Sequence, residues 1–195
     1  AYGFRGYYEK KPHFLQSIPF ALNNLRKILE SDFPEYPYLC EIMREMVDLQ
    51  QFADTRKDEL TVRVVSFAYK KGIPADPSGN GGGYVFDCRA INNPGKFERF
   101  NNVTGLDKPV INFLEEDGEM AIYLDSIYQL INNHVKRYID RSFTNLMIAF
   151  GCTGGQHRSV YAAQKVANHI SKKFGVKVSL IHREQNLEQV FQKRS

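Results

Sequence analysis

Residues 151–159, Gly-Cys-Thr-Gly-Gly-Gln-His-Arg-Ser, place a thiol, two adjacent glycines, a guanidinium and a hydroxyl within one short stretch. An apolar run, 146–150, precedes them, and a segment with helical periodicity, 160–174, follows. A buried strand feeding a glycine-rich turn that opens a helix suits an anion. The N–H groups of the turn converge, and the first helical N–H groups have no partner inside the helix. The helix dipole adds partial positive charge at the same point. Gly154 and Gly155 let an oxyanion approach the backbone closely. Arg158 supplies a planar, permanently charged fork suited to phosphate. The expected ligand is a phosphate, bound by the run Cys152, Thr153, Gly154, Gly155, Gln156, His157, Arg158 and Ser159. A plainer alternative is a tight strand-to-helix turn with Arg158 solvated in the first turn.

The same residues admit a catalytic reading. Cys152 and Arg158 stand in the Cys-x5-Arg-Ser spacing of cysteine-dependent phosphatases. Such a loop depresses the thiol pKa and aims a thiolate at phosphorus. Asp87 or Asp107 would then be the general acid. Gly151 departs from that pattern, in which a histidine usually precedes the cysteine. Spacing alone does not make an enzyme.

The elements that must position this loop fall into two blocks. Residues 1–59 read as entirely helical, with Leu22, Leu25 and Leu29 at helical spacing after Pro19. After Pro34 and Pro37, a second stripe carries Leu39, Ile42, Met43, Met46, Val47 and Phe52. These apolar residues are expected to be packing surface. Residues 60–195 alternate strand and helix signals: strands at 62–67 and 84–87, a long helix from 118 to about 141, a strand at 145–150, the loop, a helix over 159–174 and a strand at 176–181. Gly175 stands where a helix C-terminal glycine belongs. The alternation predicts an α/β domain of three layers, a largely parallel sheet with helices on both faces, behind an all-helical N-terminal segment.

In parallel sheets, ligands gather at the carboxyl ends of strands. That rule brings Lys71, Asp87, Arg89 and His182 beside the loop. Each also has a plain role: Asp87 as a turn cap, Arg89 as a surface ion-pair partner, His182 as an ordinary strand-end residue. Residues 78–83, Ser-Gly-Asn-Gly-Gly-Gly, read as a mobile loop next to the site rather than a phosphate cradle, since no strand immediately feeds them and no Lys-Ser/Thr follows as in a nucleotide P-loop.

Composition narrows the classes further. Of 195 residues, 43% are hydrophobic and 25% charged, ordinary for a soluble globular chain. No apolar stretch approaches the roughly 20 residues that span a bilayer. Cys40, Cys88 and Cys152 are an odd trio without metal-ligand spacing, so a cytoplasmic protein with neither disulfide nor metal is expected. The sequence opens on Ala1 rather than Met and reads as a piece of a longer chain. The net charge of +4 is uneven, with eight Lys/Arg against two Glu from residue 145 onward. That basic third fits either nucleic acid or a solvated helix face.

Four blocks occur in order: Ser66 to Gly72, Tyr84 to Arg89, Thr104 to Val110, and Gly151 to Val160. Together they resemble the C-terminal domain of the RNase adapter protein RapZ family over residues 60–183. The resemblance implies a non-catalytic domain that takes no cofactor and binds glucosamine-6-phosphate. Thr153, Gly154, Gly155, His157 and Arg158 would hold the phosphosugar, and Lys71, Asp87 and Arg89 would contact its sugar. Some relatives have histidine at the position of Lys71. The resemblance also implies binding of small regulatory RNA, here through Lys172, Lys173, Arg183, Lys193 and Arg194, and self-assembly into homo-oligomers. The tail departs from the compact basic cluster of RNA-binding relatives, because Gln185, Asn186, Gln189 and Gln192 interrupt its charge. No membrane partner is implied.

The N-terminal block departs from RapZ, which carries a Walker-type nucleotide-binding domain there. Residues 4–8 and 11–19 instead resemble the last helices of aminoglycoside-phosphotransferase-like sugar kinases. Residues 1–59 are then expected to be the tail of an upstream kinase-like domain, and 60–195 the RapZ-like α/β domain. The combined expectation is a phosphosugar sensor fused to a sugar kinase, with a cysteine-dependent phosphatase as the rival.

Overall fold

The computed structural model describes residues 4–5, 8–10, 18–31, 33–49, 59–79 and 82–192. Its contacts separate two compact units, Ala1–Asp58 and Glu59–Ser195. In the first, helices α1 (Ile18–Ile28) and α2 (Pro37–Val47) pack through Leu22, Leu29, Cys40 and Val47. Pro37 starts α2, where its missing N–H costs nothing. Arg26 ties the pair by donating to the carbonyl of Val47 and to Asp48. Only part of the expected α2 stripe is inward: Met43 and Val47 pack, joined by Cys40, while Leu39, Ile42 and Met46 are exposed. Phe52, and residues 11–17 of the kinase-like match, lie outside the described residues.

The second unit is α/β with a five-stranded, largely parallel sheet, the class its sequence predicts. Its strands are β1 (Thr61–Ala68), β2 (Tyr84–Asp87), β3 (Asn145–Cys152), β4 (Lys177–His182) and β5 (Leu187–Phe191). They lie in the order β2-β3-β1-β4-β5, and only β5 runs antiparallel, against β4. Helices α3 (Lys108–Glu116) and α4 (Glu119–Asp140) lie between β2 and β3 in the chain, and α5 (Arg158–Phe174) joins β3 to β4. Gly118, at φ 75°, makes the left-handed joint between α3 and α4. Gly175, at φ 63°, caps α5, its N–H donating to the Ser171 carbonyl.

Alternation along the strands decides which residues enter the main core. Val62 and Val64 of β1, with Leu146, Ile148 and Phe150 of β3, point to the face packed by α3, α4 and α5. The helices meet that face with stripes at helical spacing: Met120, Leu124, Ile127, Ile131 and Val135 from α4, and Tyr161, Ala162, Val166 and Ile170 from α5. On the other side of the same strands a smaller cluster forms from Phe67, Met147 and Ala149, with Tyr69 against it. The register aligns the strand ends, pairing Ala68 with Cys152, Asp87 with Gly151 and Ser66 with His182.

His182, at the end of β4, is fully buried. Its Nδ1 is 2.9 Å from Ser66 Oγ and its Nε2 is 3.4 Å from Gln164 Oε1, so it joins β4 to β1 and α5. Burial pushes the imidazole down to about 4. The unfolded chain therefore takes the proton first. Stability is complete above the free-histidine value of about 6.5 and falls as the pH drops toward 4, by on the order of 3 kcal/mol. Urea unfolding at pH 7.5 and 4.5 should show His182→Gln losing roughly 2 kcal/mol less than the wild type over that interval. Equal losses would mean that the ring is not the group being charged.

Candidate phosphate-binding loop

The chain leaves β3 at Cys152 and enters α5 at Arg158, and the five residues between are pinned from several directions. Gly155 has φ 68°. Its N–H donates to Cys152 Sγ at 3.2 Å, and the Ser159 hydroxyl is 3.1 Å from the same sulfur. A Cβ at Gly155 would fall 2.8 Å from the Ala68 nitrogen and overlap the Glu184 side chain, so glycine is required by space as well as by φ. Gln156 and His157, both expected to contact phosphate, instead turn their side chains toward the preceding segment. Gln156 Nε2 donates to the carbonyls of Asn101 and Val103, and His157 Nε2 is 3.0 Å from the Phe100 carbonyl. Gly105 N–H returns a bond to the Gln156 carbonyl. Anchored in this way, the loop leaves Thr153 and Gly154 exposed. The N–H groups of Gly154, Gln156 and His157 meet no acceptor among the described residues.

Arg158 is not the solvated residue of the plain reading. It is 4% exposed. Its Nη1 donates to the carbonyls of Arg89 and Ile91 at 2.9 and 2.8 Å, and its Nη2 lies 3.5 Å from Thr153 Oγ1. No carboxylate lies within ion-pair distance of it among the described residues, although Asp87 is near enough to feel its charge, and its Nε is buried without a partner. A buried cation whose hydrogen bonds go only to neutral oxygens has its charge incompletely compensated.

Two further groups form the rim. Asp87, at the end of β2, caps the turn Cys88–Ala90 through the Arg89 N–H and also takes the Arg89 guanidinium in a forked pair. Arg89 in turn lies over the Tyr69 ring at 4.1 Å. Tyr69 and Phe67 fill the space beside Gly151, where a Cβ would come to 2.5 Å from each ring. On the other side, Glu184 accepts from Ala68 N–H, Arg183 Nε and Lys71 Nζ, the last at 2.6 Å. Gln185 Nε2 donates to the Gly155 carbonyl, and its Oε1 is buried without a partner. Of the predicted sugar contacts, Asp87 and Arg89 are thus brought beside the loop but are paired with each other, and Lys71 is paired with Glu184.

The remaining expected residues divide. Asp107 accepts the Thr104 N–H and hydroxyl at the start of α3, which holds its carboxyl below the usual range. The Arg89 hydrogen bond does the same for Asp87, chiefly, with burial opposing it. Neither holds a proton near neutral pH, and the Cys152 sulfur is buried, so the phosphatase reading lacks a ready acid and an accessible nucleophile. Arg183 serves the Glu184 turn and also donates to the Ala68 carbonyl. Lys172 lines an open groove of about 420 Å³ with Lys165, Asn168 and His169. Lys173 lies 5.8 Å from the Phe174 ring. Lys193 and Arg194 lie outside the described residues, as do Asn80 and Gly81 of the glycine-rich loop. Asp76 ties that loop through Ser78 and the Gly82 N–H. Glu184 and Gln185 join the site without a signal in the sequence, since nothing local marks a contact across 116 positions.

Residues 60–186 match the family model described as the RapZ C-terminal domain. Among curated relatives, a nucleotide-binding protein of Xylella fastidiosa (strain M12) is 36% identical over 134 residues, covering 69% of this chain and 44% of the relative. One of Xanthomonas oryzae pv. oryzae (strain PXO99A) is 36% identical over 136 residues, covering 70% and 46%. A third, of Xanthomonas campestris pv. campestris (strain B100), is 35% identical over 136 residues, again covering 70% and 46%. The chain thus matches less than half the length of each. Among the described residues no helix is long and apolar enough to cross a membrane.

If Arg158 is the brace between the loop and the 88–91 turn, Arg158→Lys should be costly although it keeps the charge. A lysine offers no fork to reach both carbonyls, and the loss should be about 2–4 kcal/mol by chemical unfolding. A change under about 0.5 kcal/mol, the ordinary range for surface substitutions, would show that the brace is dispensable.

Proposed function

The chain belongs to the RapZ C-terminal domain family through residues 60–186, and on that premise we propose that its loop 152–158 binds the phosphate of a small phosphorylated sugar as a regulatory signal. The observation that carries the reading is the buried, carboxylate-free Arg158 with its orphaned Nε. A phosphate dianion at the loop supplies the missing counter-charge, meets the N–H groups of Gly154, Gln156 and His157, and lies at the dipole-positive end of α5. Thr153 offers a hydroxyl, and Arg89 a second, exposed cation over Tyr69.

The related proteins carry the name nucleotide-binding, and nucleotides and phosphosugars share the group this loop would read. The rim favours the smaller ligand. It offers Lys71, Asp87, Arg89, Tyr69 and Glu184, a polar set suited to hydroxyl groups, and the sequence has no GxxxxGK(S/T) motif. Glucosamine-6-phosphate, implied by the family resemblance, is the ligand proposed. Sensing rather than hydrolysis is supported by two features: the aromatic pair fills the space that a side chain at Gly151 would need, and both candidate acids stay ionised.

Isothermal titration of the chain with glucosamine-6-phosphate, glucosamine, inorganic phosphate and ATP tests this. Saturable binding of the phosphosugar is expected, with glucosamine silent and phosphate weaker. Arg89→Ala should weaken phosphosugar binding about tenfold, the worth of one charge-assisted contact. ATP binding with no phosphosugar signal would transfer the site to nucleotides. Phosphate release that vanishes in Cys152→Ser would replace the sensor by the phosphatase.

A further inference from the structure

The loop and Arg158 present positive charge and N–H donors, and the wall facing Gly155 sets a carboxylate among further cations. There Glu184 places a carboxylate whose side chain is 7% exposed against the loop, its stem occupying the space a Cβ on Gly155 would need. A carboxylate beside a phosphate site is costly unless it is neutralised or has a further use. Two of its partners are structural. The Ala68 N–H and the Arg183 guanidinium both hold Oε1, and Arg183 is itself fixed to the Ala68 carbonyl. The third is of another kind. Lys71 bonds Oε2 alone, from a side chain that is 70% exposed at the end of the turn Tyr69–Lys71. A lysine ammonium is a hydrated point charge on a flexible stem, and little beyond that one contact holds it.

We infer that Glu184 is a specificity-determining residue, and that its Oε2 accepts a hydrogen bond from an ammonium group on the bound phosphate ester in the place Lys71 fills in the free protein. The inference rests on the phosphosugar reading and deepens it. Arg158 and the loop take the anionic end of the ligand and Glu184 takes the cationic end, so the site reads an amino-substituted phosphate ester and not a neutral one. Because one ammonium replaces another, the carboxylate stays paired throughout and no charge is left buried alone. The Asp87 carboxylate, the other acid on the rim, is less suited: both its oxygens are engaged by the Arg89 fork. Glu184 remains ionised, since its Lys71 and Arg183 hydrogen bonds outweigh the burial that would raise its pKa.

The test compares glucosamine-6-phosphate with glucose-6-phosphate, which differ at the amino group, by titration calorimetry on the whole chain. The wild type should prefer the amino ester by about tenfold, and Glu184→Gln should bring the two affinities to within about twofold of each other. Urea unfolding checks that this variant is folded. Lys71→Met, at an exposed position, gives a second reading that does not depend on it: with the placeholder gone, the preference for the amino ester should rise. Equal binding of the two esters by the wild type overturns the inference and leaves the phosphosugar reading standing. So does a preference that survives Glu184→Gln, or one abolished by Asp87→Asn in its stead. Binding of neither ester removes both.

Discussion

A buried guanidinium without a carboxylate organises this domain. Arg158 begins α5 at the point where β3 ends, and its Nη1 reaches across to the carbonyls of Arg89 and Ile91 beyond the end of β2. Backbone carbonyls can satisfy the hydrogen bonds of such a group, but not its charge. The turn after β2 must therefore stay where the carbonyls face Arg158. That turn is set by Asp87, which caps it and holds the Arg89 side chain outward over Tyr69. Arg158 thus fixes the turn that carries Arg89, and no carboxylate comes within ion-pair distance of Arg158 itself among the described residues.

Around that cation, side chains that look chemical in the sequence are spent on holding the backbone. Gln156 and His157 bond carbonyls between Phe100 and Val103; Ser159 and Gly155 N–H face the Cys152 sulfur; Gln185 holds the Gly155 carbonyl. These contacts leave the N–H groups of Gly154, Gln156 and His157 without an acceptor and fix the backbone that carries them; on the proposed reading, little ordering remains to be done when an anion binds. Thr153 and Gly154, at the tip, have the fewest such ties and are the residues exposed to solvent.

Much of this was legible because it is local. The alternation at 62–67, the apolar run at 146–150, the stripe from Met120 to Val135 and the glycine at 175 each carry their own physical signal, and β1, β3, α4 and α5 formed where that signal lay. The rule of carboxyl strand ends points to Asp87 and Arg89, which lie beside the end of β3 and pair with each other. What was illegible is long-range. β5 is a short, exposed edge strand, Leu187–Phe191, whose existence depends on pairing with β4 and whose Gln- and Glu-containing sequence looks like tail. The β4–β5 turn owes its role to the sheet order, which seats β4 beside β1 and so puts Glu184 over Ala68. His182 could be placed at a strand end from sequence, but its burial depends on Ser66 and Gln164 from two other elements.

Gly151 separates the binding reading from the catalytic one on steric grounds. The register sets it beside Phe67 on β1 and Asp87 on β2. Tyr69 folds back edge-on to Phe67, and the two rings occupy the volume above the glycine. A residue with a side chain there, such as the histidine that usually precedes a phosphatase cysteine, would have to displace an aromatic pair that supports Arg89 by cation–π contact. The aromatic floor and a side chain before the cysteine are therefore mutually exclusive in this fold. This chain has the floor, with the Arg89 guanidinium stacked on it, and a glycine at the position where that histidine would stand.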